Sequence, residues 1–592
     1  MKKISILAAL AAGVTLTGCD SFLDDNRYPL TSIVNEPVYW SNPDNCQLQV
    51  DRYIDEISPA YGTGGGQDGW FYYTTLNDDQ VGASFADWPN TVVPSADSNW
   101  DYGQIRGANY IINGIRTAQP ALSAADHKNY EGIARLIRAY GYYKLVRMFG
   151  DVVWESVVVD PADKDILYGP RTNRDIVMDS VFRDLDYAIA GISTESAKVS
   201  WSRDLALAIK SEIALYEGTF CRYRTEADNG LEANEERAKK YLAESAAASE
   251  ILLGKYGFTD DYQSIYNSVW GGMDSPVVPG AKITDFTTIP EIIFGRHYDE
   301  VNGRHSLVSF TCSSSTTSGM SLDAFNAFLF IDGKAADQTS CNTSLVGENT
   351  TYKSGDKDLP TYSIQKLLDV RDKRLSIMTD PNVYYMGMNW SRQGTSGMNA
   401  SAGLGIAKFD NVLLPVTARQ NSAGNYTSAP IYWTSYIACN YAEAKAELGQ
   451  FDEAAFNKSL KKLYERAGLG EIIKTPADMA AVNDRANNHG VSSLLWEVRR
   501  CRRCELMFDN YIRYWDLVRW HQLDKLDSSK YPNVLRGAYI ANADIQPTSA
   551  EAGYVRPYAG TNRIFSPKYY LRPIPKNQLD LNKELGQNPG WK

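Results

Sequence analysis

"LLWEVRRCRRCELMFDNYIRYWDLVRW", residues 494–520, is the stretch from which the rest of the chain can be read. Leu494, Val498, Cys501, Phe508, Ile512 and Trp515 recur at helical spacing and make one apolar stripe. Glu505 falls on that stripe. A carboxylate on a buried face must find partners, and Arg499, Arg502, Arg503 and Arg513 are close in sequence. An arginine fork can grip a carboxylate through two parallel hydrogen bonds. With so many arginines at hand, the stretch reads as a structural ion pair of Glu505 with Arg502 and Arg513, not as a general acid or base. Cys501 and Cys504 make a C-x-x-C, but no second pair stands at zinc-ribbon spacing and no βαβ pattern surrounds them, so they read as buried core thiols.

Helical periodicity spreads outward from this stretch. Ile133, Leu136, Ile137 and Tyr140 recur at i, i+3, i+4, i+7. Before them "GQIRGANYIINGIRTAQP" is a helix ended by Pro120, and "RDIVMDSVFRDLDYAIAGI" is a third. "SRDLALAIKSEIALYEGTF", with Ser202 as N-cap, and "NEERAKKYLAESAAASEILLGKYG" form a second cluster. In residues 432–468 alanines 438, 442, 444 and 446 permit close helix approach, and "LGQFDEAA" turns between two helices in the manner of a tetratricopeptide pair. Such pairs stack into a solenoid because one pair cannot bury its face alone. Between the clusters, residues 61–99, 257–360 and 380–430 are polar and aromatic with little periodicity, which predicts long irregular loops. No linker separates the clusters, so the chain reads as one integrated unit, with 19–256 as its N-terminal and 257–592 as its C-terminal half.

The N-terminus adds an address. Lys2 and Lys3 precede a 13-residue apolar run, residues 4–16, too short to span a bilayer and of the length of a secretory signal. Leu16, Thr17 and Gly18 before Cys19 resemble a lipobox, which implies removal of residues 1–18 and lipid on Cys19. The chain carries a net charge of −11 and no Lys/Arg-rich block, which makes nucleic acid a poor partner. Seven cysteines remain beside Cys19 at irregular spacing, which indicates no disulfide framework, and five scattered histidines without H-E-x-x-H indicate no metal site.

The stretch 504–520 resembles the E-L-x-F-E-G-x-R-Y-W-D-L-x-R-W helix of the SusD/RagB family of Bacteroidetes outer-membrane lipoproteins. "YYLRPIPKNQLDLNKELGQNPGW" resembles that family's closing stretch, and "ARLIRAYGYYKLVRMFGDVVW", "NWDYGQIRGANYIINGI" and "IPEIIFG" also match. Asp509 and Asn510 stand in place of Glu-Gly, one extra residue precedes Arg513, and Val153 stands where the family has proline. The resemblance implies an all-α fold of tetratricopeptide-like helix pairs forming a solenoid, with long irregular ligand-binding loops. It implies a lid on a SusC-type TonB-dependent β-barrel transporter, held on the outer membrane by the lipid on Cys19 and facing the cell exterior. Asp20, Asp24 and Asp25 fit the export signal of this phylum loosely.

Composition agrees with a glycan ligand. Tyr (38) outnumbers Phe (18), and tyrosine and tryptophan offer an apolar face with a polar edge, as sugar rings do. In residues 61–90, Trp70, Tyr72, Tyr73 and Trp88 read as stacking platforms, and Gln67, Asp68, Asp78 and Asp79 as hydrogen-bonding partners. Trp270 and Trp390 are further candidates. The expectation is a non-enzymatic oligosaccharide-binding protein without a cofactor, a structural Ca²⁺ being left open. A peptide-binding member of the family, a surface glycoside hydrolase and a plain tetratricopeptide scaffold are the alternatives; nothing pairs two carboxylates for hydrolysis.

Overall fold

The computed structural model describes residues 37–591 apart from 59–60, 62–75, 83, 119–120, 161, 300, 302, 313–317, 355–356, 385–399, 488, 511, 542–549 and 559. The principal helices are α1 (Gly103–Thr117), α2 (Ala124–Phe149), α3 (Arg174–Gly191), α4 (Arg203–Tyr223), α5 (Glu235–Leu253), α6 (Thr434–Glu447), α7 (Ser493–Glu505) and α8 (Ile512–Arg519). Most start on a side-chain cap that satisfies an otherwise orphaned amide. Ser123 accepts from Asp126 N at 3.1 Å, Ser202 from Leu205 N at 3.1 Å, Asn234 from Arg237 N at 3.0 Å and Ser492 from Leu495 N at 3.2 Å.

Each helix packs on the next, α1 on α2, then α3, α4, α5, α6 and α7 in turn, and α4 also touches α6 and α8. This serial stacking is the expected tetratricopeptide-like solenoid. Small residues make it tight. A Cβ on Gly218 of α4 would stand 2.7 Å from Leu242 Cγ and 2.9 Å from Leu242 N of α5. Ala438, Ala442 and Ala444 of α6 are buried. The turn after α6 closes as expected, with Asp452 accepting from Ala455 N at 2.9 Å. Cys501 and Cys504 are buried free thiols, and burial pushes Cys504 up to about 12.

The stretches read as loops contain short strands. β1 (Gln80–Gly82) pairs antiparallel with β3 (Ser318–Met320), and β2 (Ile292–Arg296) with β8 (Ala429–Trp433). β4 (Glu348–Ser354), β5 (Lys357–Ser363), β6 (Thr379–Tyr384) and β7 (Gly403–Ile406) form an antiparallel sheet in that order. The 494–520 helix is also interrupted. α7 ends at Glu505 and α8 begins at Ile512, and Phe508 (φ 68°) and Asn510 (φ 41°) turn the chain between them. Asparagine tolerates the left-handed region better than other residues with a Cβ, so Asn510 serves where the family pattern has glycine. Val153 replaces proline for a visible reason: its N–H donates to Tyr102 Oη at 2.9 Å, which proline cannot do.

The C-terminal tail returns across the N-terminal helices. Arg171 Nε donates to the Leu585 carbonyl at 2.6 Å, Asn588 Nδ2 to the Phe149 carbonyl at 2.9 Å and Arg563 Nη1 to the Ala86 carbonyl at 2.8 Å. One apolar core runs from Trp40 to Leu585. Among the described residues no helix is long and apolar enough to cross a membrane. Residues 1–18 and Cys19 lie outside the described residues.

Candidate ligand-binding face

The arginines of 494–520 do not converge on Glu505. Its carboxylate accepts from Arg374 Nη1 at 2.9 Å and Arg466 Nη2 at 2.5 Å, from two segments remote in sequence. Burial opposes the charge, but Arg466 and Arg374 outweigh it and hold Glu505 below the usual carboxylate range. The expected pairing with Arg502 and Arg513 is therefore corrected. Arg502 Nε reaches Asp516 at 2.8 Å, because its side chain faces α6 and α8. Arg513 clamps Asp78 through two bonds of 2.6 Å. Arg503 adds Asp79 at 2.8 Å and Asp323 at 2.9 Å, and Arg519 holds Glu443 at 2.6 Å. Each is a paired charge in the interior, and none is free to act on a ligand.

These clamps fix the segment Leu76–Gly82, and with it one face of the molecule. Gln80 pairs with Met320 and Gly82 with Ser318. Ser318 Oγ donates to Gln80 Oε1 at 2.7 Å, and Ser401 Oγ donates to the Val81 carbonyl. Gly319 permits this crowding, since a Cβ there would stand 3.0 Å from Ala402 N. The described stretches that begin at Leu76, Ser318 and Ala400, each within a region read from the sequence as a loop, thus meet at one patch. Tyr61 lies parallel to Tyr298, with ring centroids 6.1 Å apart, and both rings are buried.

Of the nominated ligand contacts, Trp70, Tyr72, Tyr73 and Trp390 lie outside the described residues. Asp78 is corrected to a buried structural anion. Burial raises its pKa, but Arg503 and Arg513 hold it well below the usual range. Trp88 is corrected to a core residue. It is 5% exposed, donates its indole N–H to the Ile564 carbonyl at 2.8 Å and stacks on Tyr569 at 4.4 Å. Trp270 is half-buried and stacks on His297 at 4.3 Å.

Sequence reading missed a cavity of about 470 Å³ beside the patch, bounded by Leu322 and by Leu404 of β7. Phe330, Arg371, Tyr539 and Tyr554 also line it. No periodicity signals a cavity built from four sequence-remote segments. Asp175, Glu217 and Cys221 bring possible metal-ligand atoms within 4.8 Å of one another. Arg224 already clamps Asp175 at 2.7 and 2.9 Å and Arg174 clamps Glu217 at 3.1 and 2.6 Å, so the group fits an ion-pair cluster, not a cation site.

A model of the SusD family matches residues 290–591. A SusD-like protein from Formosa agariphila is 26% identical over 227 residues, covering 36% of this chain and 42% of that protein. Two crystal structures from Bacteroides fragilis share the fold. A SusD-like carbohydrate-binding protein superposes with a TM-score of 0.65 at 17% identity, over 93% of this chain and 100% of the other. A second SusD-like protein gives 0.62 at 18% identity, over 95% and 99%. A laminarin-binding SusD-like protein gives 0.50 at 15% identity, over 93% and 99%.

Proposed function

The chain belongs to the SusD family, and on that premise we propose that it is a surface lipoprotein that captures an oligosaccharide and passes it to a SusC-type TonB-dependent transporter. The observation that carries this reading is the meeting of the described stretches that begin at Leu76, Ser318 and Ala400 at one patch. The similar proteins described as carbohydrate-binding and laminarin-binding support a glycan. A hydrolytic role has no support in the buried acids of the α7–α8 region, since Glu505, Asp78 and Glu443 are each held by guanidinium groups. Lipid on Cys19 supplies the anchor.

Titration of the purified protein with neutral and acidic oligosaccharides tests the reading. Binding in the millimolar to micromolar range, about −4 to −8 kcal/mol, is expected for an open site that must also release its ligand. New reducing ends on incubation, or binding of peptides with no glycan bound, would overturn it. Cys19→Ala should remove the protein from the outer-membrane fraction; retention there would refute the anchor.

A further inference from the structure

The cavity beside the patch is lined by basic and neutral residues in a chain that is acidic overall. The chain carries 71 acidic against 60 basic residues, yet the described residues lining this cavity include no acid and two arginines, Arg371 and Arg536. Arg371 is 9% exposed and its guanidinium lies 3.8 Å from the Phe330 ring centroid. Its Nη1 donates to the Phe328 carbonyl at 2.8 Å, and no carboxylate among the described residues stands within ion-pair distance. The buried arginines Arg374, Arg466, Arg503, Arg513 and Arg519 each grip a carboxylate. Arg563, also without one, donates to the Leu526 and Ala86 carbonyls and does not line the cavity. Burial lowers Arg371 to about 10, the mark of a desolvated cation without a compensating anion. Arg536 gives Nη2 to Glu551 at 3.2 Å, and its Nε is buried without a partner.

Beside apolar residues such as Phe325, Ile364 and Leu404, the wall carries groups that suit a sugar. Tyr539, 40% exposed, packs against Tyr554 with ring centroids 5.0 Å apart. Asn326, Asn342 and Asn533 add neutral hydrogen-bonding groups. The volume lies within the roughly 300–1,000 Å³ of ligand cavities. We propose that this cavity holds an anionic substituent, a carboxylate or a sulfate ester, of an oligosaccharide, with Arg371 and Arg536 facing the charge and Tyr539 stacking on the adjoining ring. This rests on the glycan-binding reading above and narrows it to acidic glycans.

Calorimetric titration with three probes tests it: an oligogalacturonate tetrasaccharide, a sulfated carrageenan tetrasaccharide and neutral laminaritetraose. At least one acidic probe should bind ten or more times tighter than the neutral one, with affinity falling as salt is raised. The acidic arm that responds identifies the substituent as carboxylate or sulfate. Arg371→Gln should weaken that binding at least tenfold and flatten its salt dependence. Tyr539→Ala, at the rim, should weaken it severalfold with an unchanged melting temperature, and it decides the matter if Arg371→Gln fails to fold. Neutral binding equal to or stronger than acidic, or acidic affinity unaltered in both variants, would overturn the inference and leave the proposed function standing. Silence across all three probes would count against both.

Discussion

Trp88 donates its indole N–H to Ile564 and lies flat on Tyr569, so Trp88→Ala should cost about 3–5 kcal/mol in urea unfolding and leave the ligand affinity of the folded fraction unchanged. Weakened binding with unaltered stability would return it to the ligand face. His305 makes a second residue-scale test. It is buried, with Nε2 3.0 Å from the Thr427 carbonyl and Nδ1 accepting from Leu307 N at 3.3 Å, which fixes the neutral Nε2–H tautomer. Burial pushes its pKa down to about 3. The unfolded histidine, near 6.5, therefore takes up a proton first as pH falls. Its contribution is complete above roughly pH 6.5 and is lost towards pH 3, at about 1.4 kcal/mol per pH unit. The stability difference between wild type and His305→Gln should thus narrow by roughly 2 kcal/mol between pH 7 and pH 5. An unchanged difference would contradict the neutral assignment. At this scale the sequence disclosed burial better than partnership. Glu505 sits on an apolar stripe and is buried, but Arg374 and Arg466 are brought to it only by the tertiary fold. Trp88 and Trp270 are the same residue type in similar polar surroundings, and nothing local separates the buried ring from the half-buried one.

At the scale of elements the helices were legible and the strands were not. Ser202, read as a cap from sequence alone, does cap α4, because capping is a contact within three residues. β1 pairs with a strand more than two hundred residues away, and neither carries the alternation or the turn that marks a hairpin. The break between α7 and α8 was visible only as the Asp509–Asn510 departure from the family pattern. Asn510→Gly should change stability by less than about 0.5 kcal/mol, since relief of the left-handed strain offsets the added freedom of the unfolded chain. Asn510→Val should cost roughly 1–2 kcal/mol, because a β-branched residue is poorly tolerated at this φ. Equal stability of the two variants by chemical denaturation would show that the turn adapts.

Over the whole molecule the clamp between Asp78 and the pair Arg503 and Arg513 joins a segment of the N-terminal half to the α7–α8 unit. Asp78→Ala strips both guanidinium groups of a buried anion and should cost about 3–5 kcal/mol. It should lower the midpoint of a single calorimetric transition; two resolved transitions would show that the halves fold apart. The solenoid was readable because its contacts run between neighbouring helices, while the patch at Leu76–Gly82 and the cavity beside it were not, because segments scattered from Leu76 to Tyr554 build them. The returning tail has one more consequence. Ala86, Trp88, Phe149 and Arg171 all wait for partners between Arg563 and Asn588, within the last thirty residues of 592. A chain released residue by residue completes these contacts of its first third only when it is almost wholly delivered. For the secreted lipoprotein proposed above, that closure would fall on the far side of the membrane, after the polypeptide has been threaded.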